Sequence, residues 1–532
     1  RAAATAHQGC SVLHMAGDPA LAIQDILNPL AVKRFTIQHH HSGRRTDLTV
    51  TGVEIVNHSE TPGLGANAQN AYDALRYSEQ YAEGTARSVA MGNAFVALGG
   101  DMGALSLNPA ASAVYRFSEV VFTPSVTVSC SEADYLGGMQ SGSKTRAGIS
   151  NIGFVYTANT GREHSGLLNW NFGIAFNRQN NYTFAKKAYG VTDQTSWLSS
   201  LAYDTDGIYA PNMDMGGGKD PFYSSGASWN SVLAWNNSLM DTLPGTDDMY
   251  IAATENLNGT DISVGGMLRQ KYRSSSVGNV TEAVINWGGN FSNKLFVGVN
   301  LGIQSISYRY DEKYAEEALD SRNFQTGFAN FSQGYKYSAV GTGVNLKAGM
   351  IYVPVQWLRF GASISTPTWM YIEEEWEGGM NSQFDDGYRQ SLISPLGTYN
   401  YRLNTPFRWN AGAAFVMGSL GVLSLDYESV DYSRARLKDM DYEFGYDQEN
   451  SEIQQLLGKQ NIYRIGAEIN VNPVCAVRGG YQFYSSPYVN GTSDDERKVM
   501  SLGTGLSIPQ PAGDIFVDLT FQKLLGKKNL LE

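Results

Sequence analysis

Polarity alternates with a period of two along most of this chain, and that pattern excludes nearly every helical architecture. In Lys294–Gln304, "KLFVGVNLGIQ", residues Leu295, Val297, Val299, Leu301 and Ile303 share one face, and Phe296, Gly298, Asn300, Gly302 and Gln304 the other. Successive side chains of a strand point to opposite sides, so such a segment offers one apolar face and one polar face. Val344–Tyr352 repeats the pattern, with Val344, Leu346, Ala348, Met350 and Tyr352 against Asn345, Lys347, Gly349 and Ile351. Leu358, Phe360, Ala362 and Ile364 oppose Arg359, Gly361, Ser363 and Ser365, and Leu423, Leu425 and Tyr427 oppose Ser424, Asp426 and Glu428. A soluble sandwich also alternates. Two features favour a membrane barrel: charges stand singly on the polar face of long strands, and short connections alternate with long ones.

The short connections are Gly288–Lys294, Val353–Trp357, Met417–Gly421, Val471–Cys475 and Ile508–Gly513. Between them lie long polar stretches, roughly 181–262, 309–333, 373–399, 432–459 and 486–497. Aromatic residues at strand ends, such as Tyr308, Tyr310, Trp369 and Tyr371, suit the interfacial girdles of a membrane barrel. About thirteen strands are visible: 119–130, 148–159, 168–182, part of 264–290, 294–310, 334–353, 356–372, 399–417, 420–434, 459–472, 474–486, 496–508 and 511–523. Single-chain bacterial barrels close with an even number, so about fourteen are expected, and a last returning strand after 511–523 is expected to be missing. The fold class read from the pattern is all-β, a transmembrane antiparallel β-barrel.

Composition narrows the function. The 532 residues carry a formal net charge of −12, which argues against nucleic acid as a partner. They include 31 Tyr and 57 Gly, suited to a β-protein that is wet on one face. No run reaches 18 apolar residues, and a mean hydropathy of −0.27 is compatible with spanning by strands. Cys10, Cys130 and Cys475 lie far apart and show no metal-ligand spacing. No metal and no cofactor are expected. Six of the seven His fall in residues 1–66, leaving His164 in the predicted short turn "NTGREHSG". A nucleophilic site needs a base beside its nucleophile, so an enzyme is not expected. Asp204–Gly207 lacks the rest of a calcium loop, and Gly341–Gly349 reads as a strand rather than a phosphate loop.

Residues 1–68 differ from the rest and read as an atypical leader, disordered or artefactual. Gly65–Gln69, "GANAQ", is similar to a signal-peptidase site, but no apolar stretch precedes it. His39–His41 reads as a solvated tract. Leu48–Ala68 resembles a fragment of the FMN-carrying G subunit of Rnf-type electron-transport complexes. The nearest match to that family's flavin-bearing motif, Ser225-Gly226-Ala227-Ser228, has Ser for Thr and a different context.

The segment Ala86–Arg116, "ARSVAMGNAFVALGGDMGALSLNPAASAVYR", is small, apolar and broken by glycine. Its composition suits a compact piece of chain that turns tightly. With its flanks, Gly84–Ser125, it resembles the N-terminal hatch and first strand of the FadL/TodX family of outer-membrane hydrophobe transporters. Asn171–Phe184, Leu358–Tyr371, Leu403–Ser433 and Val477–Tyr488 resemble later family strands in family order, so the resemblance covers about residues 69–523. The style is similar to the branch of Bacteroides-type bacteria often labelled hemin receptors. The resemblance implies a hatch or plug at 69–117 inside the lumen, a barrel at 118–523 with a long outer loop at 181–262, and a tail at 524–532. It implies that Asn108, Pro109 and Ala110 form a gating turn against a kinked third strand, beside a lateral gap in the wall. It further implies a first capture site on apolar helices of the outer loop. There Trp229, Val232, Leu233, Trp235, Leu239 and Leu243 have helical spacing, and Trp229, Leu233, Trp235 and Leu239 are the candidate ligand contacts. The expected function is passive uptake of long-chain fatty acid-like or other apolar molecules in the Gram-negative outer membrane. The expected partners are those molecules and outer-membrane lipid or lipopolysaccharide, with the protein a monomer. A hemin receptor, a general porin and a surface-binding or adhesion barrel remain as alternatives.

Overall fold

A computed structural model describes residues 2–14, as backbone, and residues 70–216, 218–440, 445–509 and 514–525. The leader from 15 onward, with His39–His41, the 48–68 fragment and the 65–69 site, lies outside the described residues, as does most of the 524–532 tail.

One large sheet, antiparallel except at its first strand, runs through the molecule. Besides two short strands, Arg389–Ile393 and Arg436–Lys438, its strands are β1 (Ala2–His14), β2 (Glu119–Tyr135), β3 (Gly138–Asn159), β4 (Leu167–Asn181), β5 (Phe184–Thr192), β6 (Leu268–Phe291), β7 (Leu295–Ala318) and β8 (Phe328–Val355). They continue as β9 (Leu358–Ser365), β10 (Trp369–Phe384), β11 (Gly397–Asn404), β12 (Arg408–Val416), β13 (Gly421–Asp431), β14 (Lys459–Asn470), β15 (Cys475–Tyr484), β16 (Arg497–Ile508) and β17 (Ile515–Leu525). Three spans are broken in two. β4 and β5 both pair with β6, β9 and β10 both pair with β8, and β11 and β12 pair with β10 and β9. From β2 to β17 this makes the thirteen antiparallel spans expected from the alternation.

The two outermost spans, β2 and β17, both rise from the same end, so they do not pair antiparallel with each other. The backbone of β1 lies between them and runs parallel to both, with Ala2 opposite Phe122 and Val517. The sequence of residues 2–14 does not announce a strand. Two neighbouring edges with unpaired N–H and C=O groups order any extended segment placed between them, whatever its side-chain pattern.

Several strands run past the limits the sequence suggests. β7 continues to Ala318 and β8 begins at Phe328, so the expected 309–333 loop shrinks to 319–327. β10 likewise continues to Phe384. The alternation persists there, but with charge outward: Arg309, Asp311, Lys336, Glu373 and Glu375 face solvent. Polar residues on both faces hide a strand from a search for apolar alternation.

The faces of the spans are inverted relative to a soluble protein. Val297, Val299, Val344, Leu346, Ile364 and Leu425 point outward and are exposed, whereas Asn300, Gln304, Asn345, Lys347, Ser363 and Asp426 point inward and are buried. Trp170, Trp287 and Tyr352 ring one edge of the apolar belt, and Trp369, Tyr371 and Tyr463 the other. From Val340 to Tyr352, β8 climbs about 30 Å at ordinary strand rise and tilt, the height of a hydrocarbon core. No helix of the described residues is long and apolar enough to cross a membrane.

Candidate functional site

The hatch segment lies inside the barrel, and glycine is what admits it. Thr85 caps a short helix α2 (Ala86–Ala90), its hydroxyl accepting the amide of Ser88 at 3.1 Å. The chain then turns through Gly92 and Asn93, both at positive φ, and through two short 3-10 turns. Met91, Phe95, Val96, Met102 and Leu105 have no exposure. The wall offers lumen-facing glycines where the segment touches it. A Cβ on Gly349 would lie 2.0 Å from Asn108 Oδ1, and one on Gly298 would lie 2.3 Å from the Pro109 oxygen. Real Cβ atoms do not approach so closely, so no larger residue fits at either position.

The Asn108-Pro109-Ala110 turn sits on these two glycines. Asn108 Nδ2 donates to Val96 O at 2.7 Å and Met350 O at 3.2 Å, and its Oδ1 accepts the Ala110 amide at 3.0 Å. Pro109 has no N–H to lose, and its carbonyl accepts from Asn286 Nδ2 at 2.9 Å. The turn is therefore seated on β6, β7 and β8. The 3-10 turn that follows Asn108 also packs on β4 of the third span, below the break between Asn181 and Phe184.

Charged, amide and hydroxyl side chains tie the rest of the segment to the wall all round. Asn300 donates to Leu105 O, Lys347 to Ser106 O, Ser363 to Leu107 O and Arg359 to Leu98 O. Lys347 also pairs with the fully buried Glu282 at 2.7 Å. Arg87 meets Glu468 at 3.0 Å, Glu468 meets Arg478 at 2.5 Å, and Arg478 meets Asp518 at 2.6 Å. Each of these charges is hydrogen-bonded, as a buried charge must be.

The break in the third span lies between Asn181 and Phe184. β3 and β4 are laddered only from Asn159–Asn169 up to Asn151–Asn177, and β5 continues on β6 alone. The edge of β4 freed there is covered from inside by the hatch. Tyr81 N donates to Gln179 O at 2.6 Å and Glu83 N to Arg178 O at 2.8 Å. Arg178 in turn donates through Nε to Glu83 at 2.6 Å and through Nη2 to Ser125 of β2 at 2.7 Å.

Above the hatch the upper lumen is a chamber packed with aromatic rings. Tyr182 at the break meets Tyr308 at 5.3 Å, Tyr308 meets Tyr337 at 5.9 Å, and Tyr399 stacks on Tyr401 at 6.5 Å. Helix α1 (Ala71–Ser78), capped by Asn70, fills the middle and buries Ala74, Leu75 and Tyr77. Tyr308 and Tyr310, expected in a girdle, thus face the lumen. Their parity along β7 is that of Gln304 and Ile306, whereas Trp369 and Tyr371 do point outward. The chamber is what the sequence reading missed. A signal was present in Tyr308-x-Tyr310, Tyr335-x-Tyr337 and Tyr399-x-Tyr401, three pairs spaced to share a face.

The long 181–262 connection is a folded cap. α3 (Trp197–Thr205) and α4 (Trp229–Asn236) pack over β7, β8 and β10 in one apolar cluster. Leu233 and Leu239 are fully buried in it, and Trp229 and Trp235 are partly buried. The helix is shorter than the spacing suggests: it stops at Asn236, with Ser238 at positive φ, so Leu239 and Leu243 lie beyond it. Trp229 touches Tyr223 at 5.6 Å on the outside and Trp376 of β10 at 6.0 Å on the inside. Trp376 packs on the chamber cluster, so it joins cap to chamber. Ser225–Ser228 forms turns, and Ser228 caps α4. His164 stands exposed in the β3–β4 turn. Among the described residues no group of three or more His, Cys, Asp or Glu is placed to hold a metal.

No protein-family description and no curated protein matches the sequence. Among solved structures, the chain is similar to the Pseudomonas putida toluene transporter TodX, at 13% identity and a TM-score of 0.43, covering 81% of this chain and 90% of that one. It is similar to the Ralstonia pickettii toluene transporter TbuX, at 13% identity and 0.40, covering 82% and 95%. A Pseudomonas aeruginosa FadL homologue matches at 13% identity and 0.42, covering 84% and 90%.

Proposed function

We propose that this chain is an outer-membrane uptake channel for apolar small molecules, which land on the outer cap, pass the aromatic chamber and leave sideways into the bilayer. The observation that carries this reading is where the chamber ends. Tyr182 borders the break in the third span and packs on Tyr308 of the chamber, so an aromatic lining leads to the stretch of wall where the β3–β4 ladder stops. A straight passage to the far side is occupied by the hatch. Sideways release keeps an apolar solute out of water throughout, which is the favourable direction for it.

In this reading Trp229, Leu233, Trp235 and Leu239 form or support the capture site. Asn108, Pro109 and Ala110 hold the hatch in register beside the passage. The cargo moves down its own gradient, the partners are the cargo and outer-membrane lipid, including lipopolysaccharide, and the protein acts as a monomer.

The test is saturable binding of a fluorescent long-chain fatty acid by the full chain in nanodiscs, competed with a hydrocarbon, a sterol, hemin and an oligosaccharide. Displacement by the apolar competitors alone, weakened by Trp229→Ala, supports the reading. Absence of saturable apolar binding, together with passage of polar solutes in planar bilayers, overturns it in favour of a porin.

A further inference from the structure

The chamber is polar in a particular way. Three carboxylates of the upper lumen are held by phenol groups. Tyr401 donates to Glu374 at 2.6 Å, Tyr314 donates to Glu316 at 2.7 Å, and Tyr310 and Tyr272 both donate to Glu312. Glu374 and Glu316 have no exposure. Into this lining α1 projects a phenol of its own. The Tyr77 ring meets the Tyr308 ring edge-on at 6.4 Å, its hydroxyl lies 3.1 Å from that of Tyr337, and the residue is 2% exposed.

We propose that Tyr77 is a built-in stand-in for the cargo, and that the cargo proper is a flat, uncharged ring carrying a hydroxyl group. This rests on the uptake reading above and names its substrate class. A ring fits edge-on against Tyr308, and its hydroxyl reaches that of Tyr337, a group that can both donate and accept. A carboxylate-headed chain fits worse. Asp73 and Glu374 flank the position, and the nearby cation, Arg76, is already paired with Asp73 and lies over the Tyr308 ring at 5.0 Å. A bare hydrocarbon ring leaves the hydroxyl partners unmatched, which costs selectivity.

A tethered side chain in a binding site competes at a high effective concentration, on the order of millimolar. Removing it must therefore tighten binding of a free ligand rather than weaken it. The probe is 2-naphthol, titrated by its fluorescence against the full chain in nanodiscs, with naphthalene and dodecanoate as comparisons. Tyr77→Ala is expected to tighten 2-naphthol at least about ten-fold. Tyr484→Ala, which removes an equally buried ring elsewhere in the wall, is expected to leave it unchanged. Naphthalene is expected to bind about five-fold more weakly than 2-naphthol, the worth of one hydrogen bond. In protein with the native Tyr77, saturating 2-naphthol is expected to raise the reactivity of a buried Ser78→Cys thiol as α1 gives way. Unchanged or weaker 2-naphthol binding in Tyr77→Ala overturns the proposal, as do equal affinities for dodecanoate. If Tyr77→Ala does not fold, an unreactive Ser78→Cys thiol under saturating 2-naphthol overturns it. Failure of 2-naphthol while hydrocarbons still bind saturably defeats this inference and leaves the uptake reading; loss of all saturable apolar binding defeats the uptake reading itself.

Discussion

Gly349 shows how one missing side chain sets the position of a whole segment. With any Cβ there, Asn108 loses its seat and two carbonyls lose their donor. Gly349→Val is expected to unseat the hatch while leaving the barrel folded, at an overpacking cost of about 1–3 kcal/mol. Planar-bilayer recordings then show ion conductance that the parent protein lacks, with the heat-modifiable band on gels retained. Lys186 is a second telling residue. It lies on β5 above the apolar belt, 6% exposed, with its amine 5.3 Å from the Tyr272 ring. Burial pushes its pKa down to about 8, partly opposed by Glu312. The folded value is below that of the unfolded chain, so between about pH 8 and 10.5 the unfolded chain holds the proton that the folded protein has released. Local stability therefore rises with pH through that window. Thermal unfolding of the outer cap is expected to shift upward from pH 7.5 to 9.5 in the parent and not in Lys186→Met, which carries no titrating amine.

Among the elements, the hatch and the outer cap are held by different forces. The hatch is tied by buried charge, and removing one partner leaves others stranded. Glu468→Gln strips Arg87 and Arg478 of their shared carboxylate and is expected to cost about 3–5 kcal/mol, read as a lower temperature of unfolding in detergent. The cap is tied by apolar burial. Leu233 has no exposure and reaches Gly378 of β10, so Leu233→Ala is expected to cost about 2–5 kcal/mol locally. Limited proteolysis then cuts within 193–267 while β6 to β17 stay protected. The strand extensions beyond the belt belong to this scale too. They raise the tyrosines of β7, β8 and β11 into a chamber that a wall confined to the bilayer does not contain.

At the scale of the whole molecule, the proposed passage depends on the hatch and wall meeting at the break. Tyr81 and Gln179 are laddered there, so cysteines at both positions, joined by a short bis-maleimide, tie the hatch edge to β4. The link is expected to abolish release of an apolar probe into liposomes and to leave binding of the same probe within about two-fold. Equal release with and without the link removes the break from the route.

Sequence alone determined the barrel. A period of two is a property of neighbouring residues, and it placed each of the thirteen spans from 119–130 to 511–523 without knowledge of any partner strand. It also marked Ala86–Arg116 as a compact insert, because small residues and glycine declare tight turns locally. The tertiary structure decided everything that depends on register. The chamber gathers Tyr77, Tyr182, Tyr308, Tyr337, Glu374 and Tyr401 from distant parts of the chain, and no local pattern brings them together. The face that Tyr308 presents follows from parity counted along β7 from the belt, and the belt is defined only once the spans are paired. Leu233 and Leu239 have the spacing of a capture surface and the burial of a core, and only the packing of the cap over β8 and β10 distinguishes the two.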